Sequence, residues 1–229
     1  MADFTEFEKL IDIMFKDKQL LMQAFLHRSY LNEHRNLETA HNERLEFLGD
    51  AVLELVVTDF LFHRFPQQTE GDLTAYRSAL VNTTTLSSVA SSLKMGDYLL
   101  LSKGEAKDMG RARQYILANT YEALVGALFL DQGYSGARTF IERTIFPLID
   151  EIVEKRLWQD HKSLFQEKAQ EKVNTTPVYK TLREEGPDHD RQFIVGVFLG
   201  DEQIGSGEGK SKQEAEQGAA ENALKEKNW

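Results

Sequence analysis

The amino-acid sequence predicts two domains of different class, α and α+β: an all-α domain over residues 1–156 and a smaller α-β-β-β-α domain over residues 160–229. Three observations predict them. Up to about residue 156, apolar residues recur at helical spacing and no stretch alternates with period two for long. Beyond it, three short apolar runs read as strands, with Gly200-Asp201 as a tight turn between the second and third. A final helix then opens at Ser211, with Glu214 three residues on, a capping-box pattern. A chain of 229 residues has room for one large domain or two smaller ones.

In order, residues 4–14 and 17–25 read as short amphipathic helices. A long helix over 42–64 is stopped by Pro66. Helices over 70–80 and 83–93 are separated by the break Val81-Asn82. A short apolar piece, 97–102, lies between Gly96 and Gly104. After a polar loop at 103–113, a strongly apolar helix over 115–130 ends near Gly133. Segments 135–146 and 147–156 close the first domain. In the second, 162–172 and 211–225 are the expected helices, and 178–184, 192–198 and 202–207 the expected strands. The junction Trp158-Gln159-Asp160 has no long linker composition, and no repeat or low-complexity tract is present.

Hydrophobic content of 41% and charged content of 28% suit a folded globular chain. Without cysteine, disulfides and thiolate zinc sites are excluded. The segment MADFTEFEKL has no apolar core and no apolar run approaches a membrane span, so a cytoplasmic location without membrane contact is expected. Net charge is −10, about −6 over residues 1–157 and −4 over 158–229. Neither part is a basic arm, so any nucleic-acid contact must come from local placement of Lys and Arg.

The chemistry concentrates on the long helix. Glu43, Glu46, Asp50 and Glu54 lie at offsets of three, four and four residues. At about 100° per residue they fall within roughly 80° of one another and form one acidic stripe. Like charges at this spacing destabilise a helix by a few tenths of a kcal/mol each. The stripe is flanked by Leu45, Phe47, Leu48, Val52 and Leu53, which need a core or a partner. Two accounts stand at this point: a solvated helix face, or hard oxygen ligands for a divalent cation. A second donor set lies on the apolar helix ILANTYEALVGALFLDQG, where Asn119 and Glu122 are three apart and share a face. A buried Glu there requires an ion-pair partner or a metal. The small residues Ala118, Ala123, Gly126 and Ala127 permit close packing against another helix.

These residues carry a resemblance. NERLEFLGD at 42–50 matches the ribonuclease III signature almost letter for letter. HRSY at 27–30, EGDL at 70–73 and ILANTYEALVGALFLD follow in that family's order. The terminal segment, with GPDH at 186–189, GSGEGKSK and SKQEAEQGAA, resembles the family's double-stranded-RNA-binding domain. The resemblance spans nearly the whole chain. It implies a homodimeric, Mg²⁺-dependent endonuclease (with Mn²⁺ as a substitute ion) that cuts both strands of duplex RNA. The products would carry 5′-phosphate and 3′-hydroxyl ends with a short 3′ overhang, in processing of rRNA precursors and mRNA. Residues 1–156 would form its catalytic and dimerisation domain, and 160–229 its RNA-binding domain. The family's metal ligands fall on Glu46, Asp50, Asn119 and Glu122. Asp50 and Glu122 are also catalytic, and two further acidic positions of the cleavage valley fall on Glu43 and Glu70. Phe47 falls on the dimer-interface position, whereas Glu54 matches no catalytic position. His27 and His41 lie near the motifs and are read as structural.

Asn119 departs from the family pattern, which usually has Asp there. An amide oxygen still ligates a hard cation, but the site loses one negative charge. Duplex RNA is recognised by shape and backbone contact, and three surfaces of the terminal segment suit it: Gln166 with its polar neighbours, the loop holding Pro187 and His189, and Lys210 with Lys212 beside the last helix. Lys103, Lys107, Arg111 and Arg113 make a locally basic loop in the first domain. Two alternatives remain at this stage: a duplex-RNA-binding regulator with weak or no cleavage, and an acidic helical interaction protein holding a structural metal.

Overall fold

In a computed structural model, residues 3–34, 36–37, 39–107, 110–158, 160–186 and 191–229 are described. The chain divides into two compact units, Met1–Trp158 and Gln159–Trp229.

The first unit is helical. Helix α1 (Thr5–Ile11) is shorter than its sequence pattern because Asp12 turns left-handed, at φ 53°. Helices α2 (Lys18–Ala24), capped by Asp17, and α3 (Arg28–Glu33), capped by His27, follow. The last of these has no counterpart among the expected helices. Helix α4 (Glu43–Arg64) contributes Leu45, Val52, Leu53, Val56, Val57 and Leu61 to the core. Helix α5 (Glu70–Val81) opens with a full capping box between Thr69 and Asp72. Asn82 both ends it and caps α6 (Thr83–Ser92), accepting from the Thr85 N–H at 2.9 Å. The piece expected over 97–102 is a 3-10 turn, Met95–Tyr98, followed by a single parallel bridge between Leu100 and Leu26.

Helix α7 (Arg111–Thr144) begins inside the segment expected to be a loop. It is broken where the sequence places a break, at Gly133, with φ 75° and ψ −173°. Tyr121, Leu124, Val125 and Leu128 before the break, and Phe140 and Ile141 after it, are all fully buried. The Tyr121 hydroxyl meets the Thr144 hydroxyl at 2.6 Å, which satisfies the polar end of a buried ring. Helix α8 (Ile149–Glu154) closes the unit. Among the described residues no helix is long and apolar enough to cross a membrane.

The second unit runs α9 (His161–Val173), β1 (Val178–Glu185), β2 (Gln192–Leu199), β3 (Glu202–Gly209) and α10 (Lys212–Lys227). Its antiparallel sheet has the order β1-β2-β3, with Gly200 at positive φ in the turn between β2 and β3. Phe165 of α9, Val197, Ile204, and Ala219, Ala220, Ala223 and Leu224 of α10 form its core. Asp160 caps α9 and also accepts from Gln217 of α10 at 2.8 Å, tying the helices together.

Candidate functional site

The site is made by a close crossing of α4 and α7. A Cβ placed on Gly49 would lie 1.8 Å from the Glu122 carbonyl oxygen, and one on Gly126 would lie 2.2 Å from the Leu45 carbonyl oxygen. Only glycine at both positions lets the two backbones come this near. The contact falls between Glu46 and Asp50 on one helix and beside Glu122 on the other, so it brings the acidic stripe against the second donor set. Asn42, just before α4, fixes the start of that helix. It is buried, and its amide donates to the Ala24 carbonyl at 3.0 Å. Its role escaped the sequence reading, although it is the first letter of the NERLEFLGD motif.

The electrostatics follow from the crossing. Glu122 is half-buried, and burial pushes its carboxyl up to about 8, with the charges of Asp50 and Glu46 acting in the same direction. Burial also raises Glu46, as do Glu43 and Asp50, while a hydrogen bond from the Asn119 amide opposes the shift. Asp50 is raised by burial and then by the charge of Glu54. Four residues from two helices, Glu46, Asp50, Asn119 and Glu122, thus form one interacting set with Glu43 at its edge.

As chemistry the set fits a hard divalent cation: all of its donors toward an ion are oxygens, and every charge acting on Glu122 is negative. Among the described residues no three acidic or histidine side chains already meet about one point. The carboxylates stand as a mutually repelling group, which a cation would draw together.

The other expected positions distribute unevenly. Glu43 is exposed at the start of α4, with its carboxylate 3.7 Å from His41. Glu70 is exposed at the start of α5 and accepts from Thr74 at 3.1 Å. It lines a recess with Thr58, Leu61, Phe62 and Leu73. Thr58 is eight residues along α4 from Asp50 and twelve from Glu46, roughly 12 and 18 Å of helix, so Glu70 lines a recess further along α4 than the carboxylate set. Phe47 is 82% exposed, extreme for a phenylalanine on a helix of the core. His27 accepts from the Ser29 N–H and so caps α3, as a structural histidine would.

Of the expected RNA-contacting positions, Gln166 is exposed on α9, in a shallow recess of about 450 Å³ with Ser163, Glu167 and Gln170. Lys210 is exposed, and its backbone N–H donates to Glu214 at 2.8 Å. Glu214 therefore reaches back one residue beyond the Ser211 cap, and the cap itself accepts from the Glu214 N–H. Lys212 lies 3.8 Å from Glu184 and over the Phe193 ring. Glu216, which sits among these lysines in sequence, is occupied by Lys162 of α9 at 2.6 Å. Lys103 and Arg111 are exposed, whereas Arg113 donates to the Gly96 carbonyl at 2.9 Å and is a structural contact. Pro187 and His189 lie outside the described residues.

Residues 17–149 match the model of the ribonuclease-III-like family, and residues 161–227 match the double-stranded RNA binding motif. The protein named Ribonuclease 3 of Enterococcus faecalis is 48% identical over 221 residues, covering 96% of either chain. That of Geobacillus kaustophilus is 47% identical over 97% of this chain and 90% of its own. Among solved structures, the nuclease domain of ribonuclease III from Campylobacter jejuni is similar at 41% identity and a TM-score of 0.58, covering 63% of this chain and 99% of its own. With near-complete coverage, a matching model for each unit, and the signature residues gathered at the α4–α7 crossing, the chain belongs to the ribonuclease III family, the endoribonucleases that act on double-stranded RNA.

Proposed function

We propose that the protein is a homodimeric, Mg²⁺-dependent endonuclease that hydrolyses both strands of duplex RNA, with Mn²⁺ able to replace Mg²⁺. It would leave 5′-phosphate and 3′-hydroxyl ends with short 3′ overhangs and serve rRNA and mRNA processing in the cytoplasm. Residues 1–156 form the catalytic and dimerisation domain in this reading, and residues 160–229 the RNA-binding domain. The observation that carries it is the carboxylate set at the Gly49–Gly126 crossing, with Glu122 held far above the usual carboxylate range.

Glu46, Asp50 and Glu122 would hold the cation, with Asn119 beside them. When bound, a divalent cation supplies an acidified water and a Lewis acid for the phosphate and the leaving 3′ oxyanion. The chain's own contribution is to keep these carboxylates poised in a cleft shaped by α4 and α7, with no Ser, His or Cys nucleophile needed. Glu43, at the edge of the set, adds to the field that favours a cation. The exposed Phe47 ring supports a second copy packing on α4. Glu70, at a recess further along α4 than the set, would then enter the cleavage valley from the partner subunit. On the RNA-binding side, Gln166 reaches toward 2′-hydroxyls of a minor groove, His189 toward a second, and Lys210 and Lys212 toward phosphates. Lys103 and Arg111 would meet phosphates beside the acidic cleft.

Long duplex RNA with Mg²⁺, and in parallel with Ca²⁺, tests the proposal. Cleavage to 5′-phosphate ends in Mg²⁺, with retention and no cutting in Ca²⁺, is expected. Retention without cleavage in either ion would favour the second reading, a duplex-RNA-binding regulator, which Asn119 motivates by leaving the site one charge short. Neither binding nor cleavage would leave only a helical protein with a structural metal.

A further inference from the structure

The HRSY motif at the start of α3 lies outside the carboxylate set, yet its polar side chains begin a chain of hydrogen bonds that leads out of the helix. The Ser29 N–H donates to His27 Nδ1 at 3.3 Å, so that nitrogen is an acceptor and the ring is neutral. The Ser29 hydroxyl lies 2.8 Å from the same nitrogen and therefore donates to it as well. Its oxygen is left to accept from the Ser102 N–H, 73 residues further on, at 3.0 Å. Ser102 in turn starts the 3-10 turn Glu105–Lys107: its hydroxyl accepts from the Glu105 N–H at 3.3 Å and its carbonyl from the Ala106 N–H at 3.0 Å. Beside it, Glu33 of α3 accepts from the Lys103 N–H at 3.3 Å, and Leu100 exchanges backbone bonds with Phe25 and His27. Burial holds the His27 imidazole below its ordinary value, against the charges of Glu105 and Glu43 and together with that of His41. Every one of these bonds to the loop fastens backbone, and the Lys103 and Lys107 side chains stay exposed. A helix cap needs only the Ser29 N–H; the hydroxyl is what ties the cap to the loop.

We propose that His27 and Ser29 are positioning residues for duplex RNA: through Ser102 they hold the basic loop so that Lys103 and Lys107 meet phosphates beside the acidic cleft. The assignment rests on the duplex-RNA function above and deepens it, giving the loop a scaffold and the HRSY motif a task. A lysine on a free loop loses backbone and side-chain freedom when it meets a phosphate, whereas one on a fastened turn has already lost the backbone part. The effect of Ser29 must therefore pass through Lys103 and Lys107, and it must vanish when those lysines are gone.

The experiment uses the full chain, a short RNA duplex as probe, and the variants Ser29→Ala, Ser29→Thr and His27→Asn. Ser29→Ala is also combined with the pair Lys103→Ala and Lys107→Ala, and the pair is measured alone. Amide hydrogen exchange reads the fastening of residues 102 and 103. Binding in Ca²⁺ over a series of salt concentrations reads the phosphate contacts, and saturation kinetics in Mg²⁺ separate KM from kcat. Ser29→Ala keeps the N–H cap, so it should melt near the wild type while the Ser102 amide exchanges faster. It is expected to weaken RNA binding about 5-fold, the worth of one hydrogen bond, and to raise KM alike with kcat unchanged. The slope of log affinity against log salt should flatten by about 1 for each lysine released. Ser29→Thr keeps the hydroxyl, and the amide oxygen of His27→Asn takes the place of Nδ1, so both should behave as the wild type. Without the two lysines, Ser29→Ala should have no further effect on binding. Unchanged binding in Ser29→Ala, a loss with the salt slope intact, a loss that persists without the lysines, a loss of kcat alone, or Ser29→Thr as weak as Ser29→Ala would each overturn the assignment. A wild type that retains RNA in Ca²⁺ but never cuts in Mg²⁺ would overturn the cleavage reading alone, because binding still decides the assignment. A wild type that retains no RNA would overturn both.

Discussion

Each unit contains a place where glycine lets two backbones approach closer than any side chain allows, and the two places are used differently. In the first unit Gly49 and Gly126 bring α4 against α7, and what flanks the contact is charge: Glu46, Asp50 and Glu122. In the second, Gly205, Gly207 and Gly209 of β3 run beneath α10, and what flanks the contact is Ala215, Ala219 and Ala223. A Cβ on Gly207 would lie 2.2 Å from the Ala219 nitrogen, the same distance as in the clash at Gly126. The same steric device therefore sets carboxylates against each other in one unit and alanines in the other. The difference lies in the residues one turn away, and close packing by itself says nothing about function.

Substitution at the glycines breaks the comparison most severely. Gly49→Ala drives a methyl into the Glu122 backbone and is expected to cost at least about 3 kcal/mol, with cleavage lost. Gly207→Ala should cost a similar amount in the second unit, but it should weaken retention of duplex RNA and leave turnover at saturating RNA largely intact. Melting curves, gel retention and saturation kinetics on the two variants check this. Equal loss of turnover in both would mean that the two contacts are not functionally distinct.

Removing the charge while leaving the packing sharpens it. Glu122→Gln is expected to lower Mg²⁺-dependent cleavage by more than about 100-fold, while duplex-RNA binding is kept or improved. Cleavage at the wild-type rate would return Glu122 to a purely structural part.

A third test moves from the cleft to the outer side of α4. Phe47→Ala should leave the isolated fold intact, because the ring is exposed within one chain. It should weaken a twofold dimer by about 2–4 kcal/mol for each copy of the ring. Light scattering over a dilution series reads this as dissociation at higher protein concentration than in the wild type. A molar mass unchanged on dilution would exclude Phe47 as an anchor.

The last test is of stability against pH. The Glu122 carboxyl is raised on folding, from 4.5 to about 8, so between those values the folded state holds a proton that the unfolded state has released. Stability of the cation-free protein should accordingly fall as pH rises through that window. Melting in chelator from pH 5 to 9 is expected to show the slope in the wild type and to lose much of it in Glu122→Gln.

The parts of this legible in the sequence were those written in periodicity. The stripe on α4, the pair on α7 and the break at Gly133 all repeat at helical spacing or interrupt it, and each lies where that spacing indicates. Helix α3 was invisible because it buries no residue and so leaves no apolar pattern. Glu8 was invisible for the opposite reason. It is buried, and it is held by Lys18 at 2.6 Å and the Phe15 N–H at 2.6 Å, partners that a sequence cannot assign. The start of α7 was placed four residues late, since Arg111–Gln114 is a polar turn that extends an apolar helix into solvent. That Glu70 stands apart from the other carboxylates was also beyond periodicity, because the chain's path between α4 and α5 decides it.

Gly133 has one further consequence. A Cβ there would meet nothing within 4 Å, yet the backbone sits at φ 75° with ψ near 180°. The position thus discriminates by handedness and not by size. An L-alanine would be strained in open space, whereas for a D-alanine introduced by chemical ligation the same backbone angles are an ordinary extended conformation. The bend that turns the second half of α7 back onto the core is in this sense a mirror-image residue, which a ribosomal chain can approximate only with glycine.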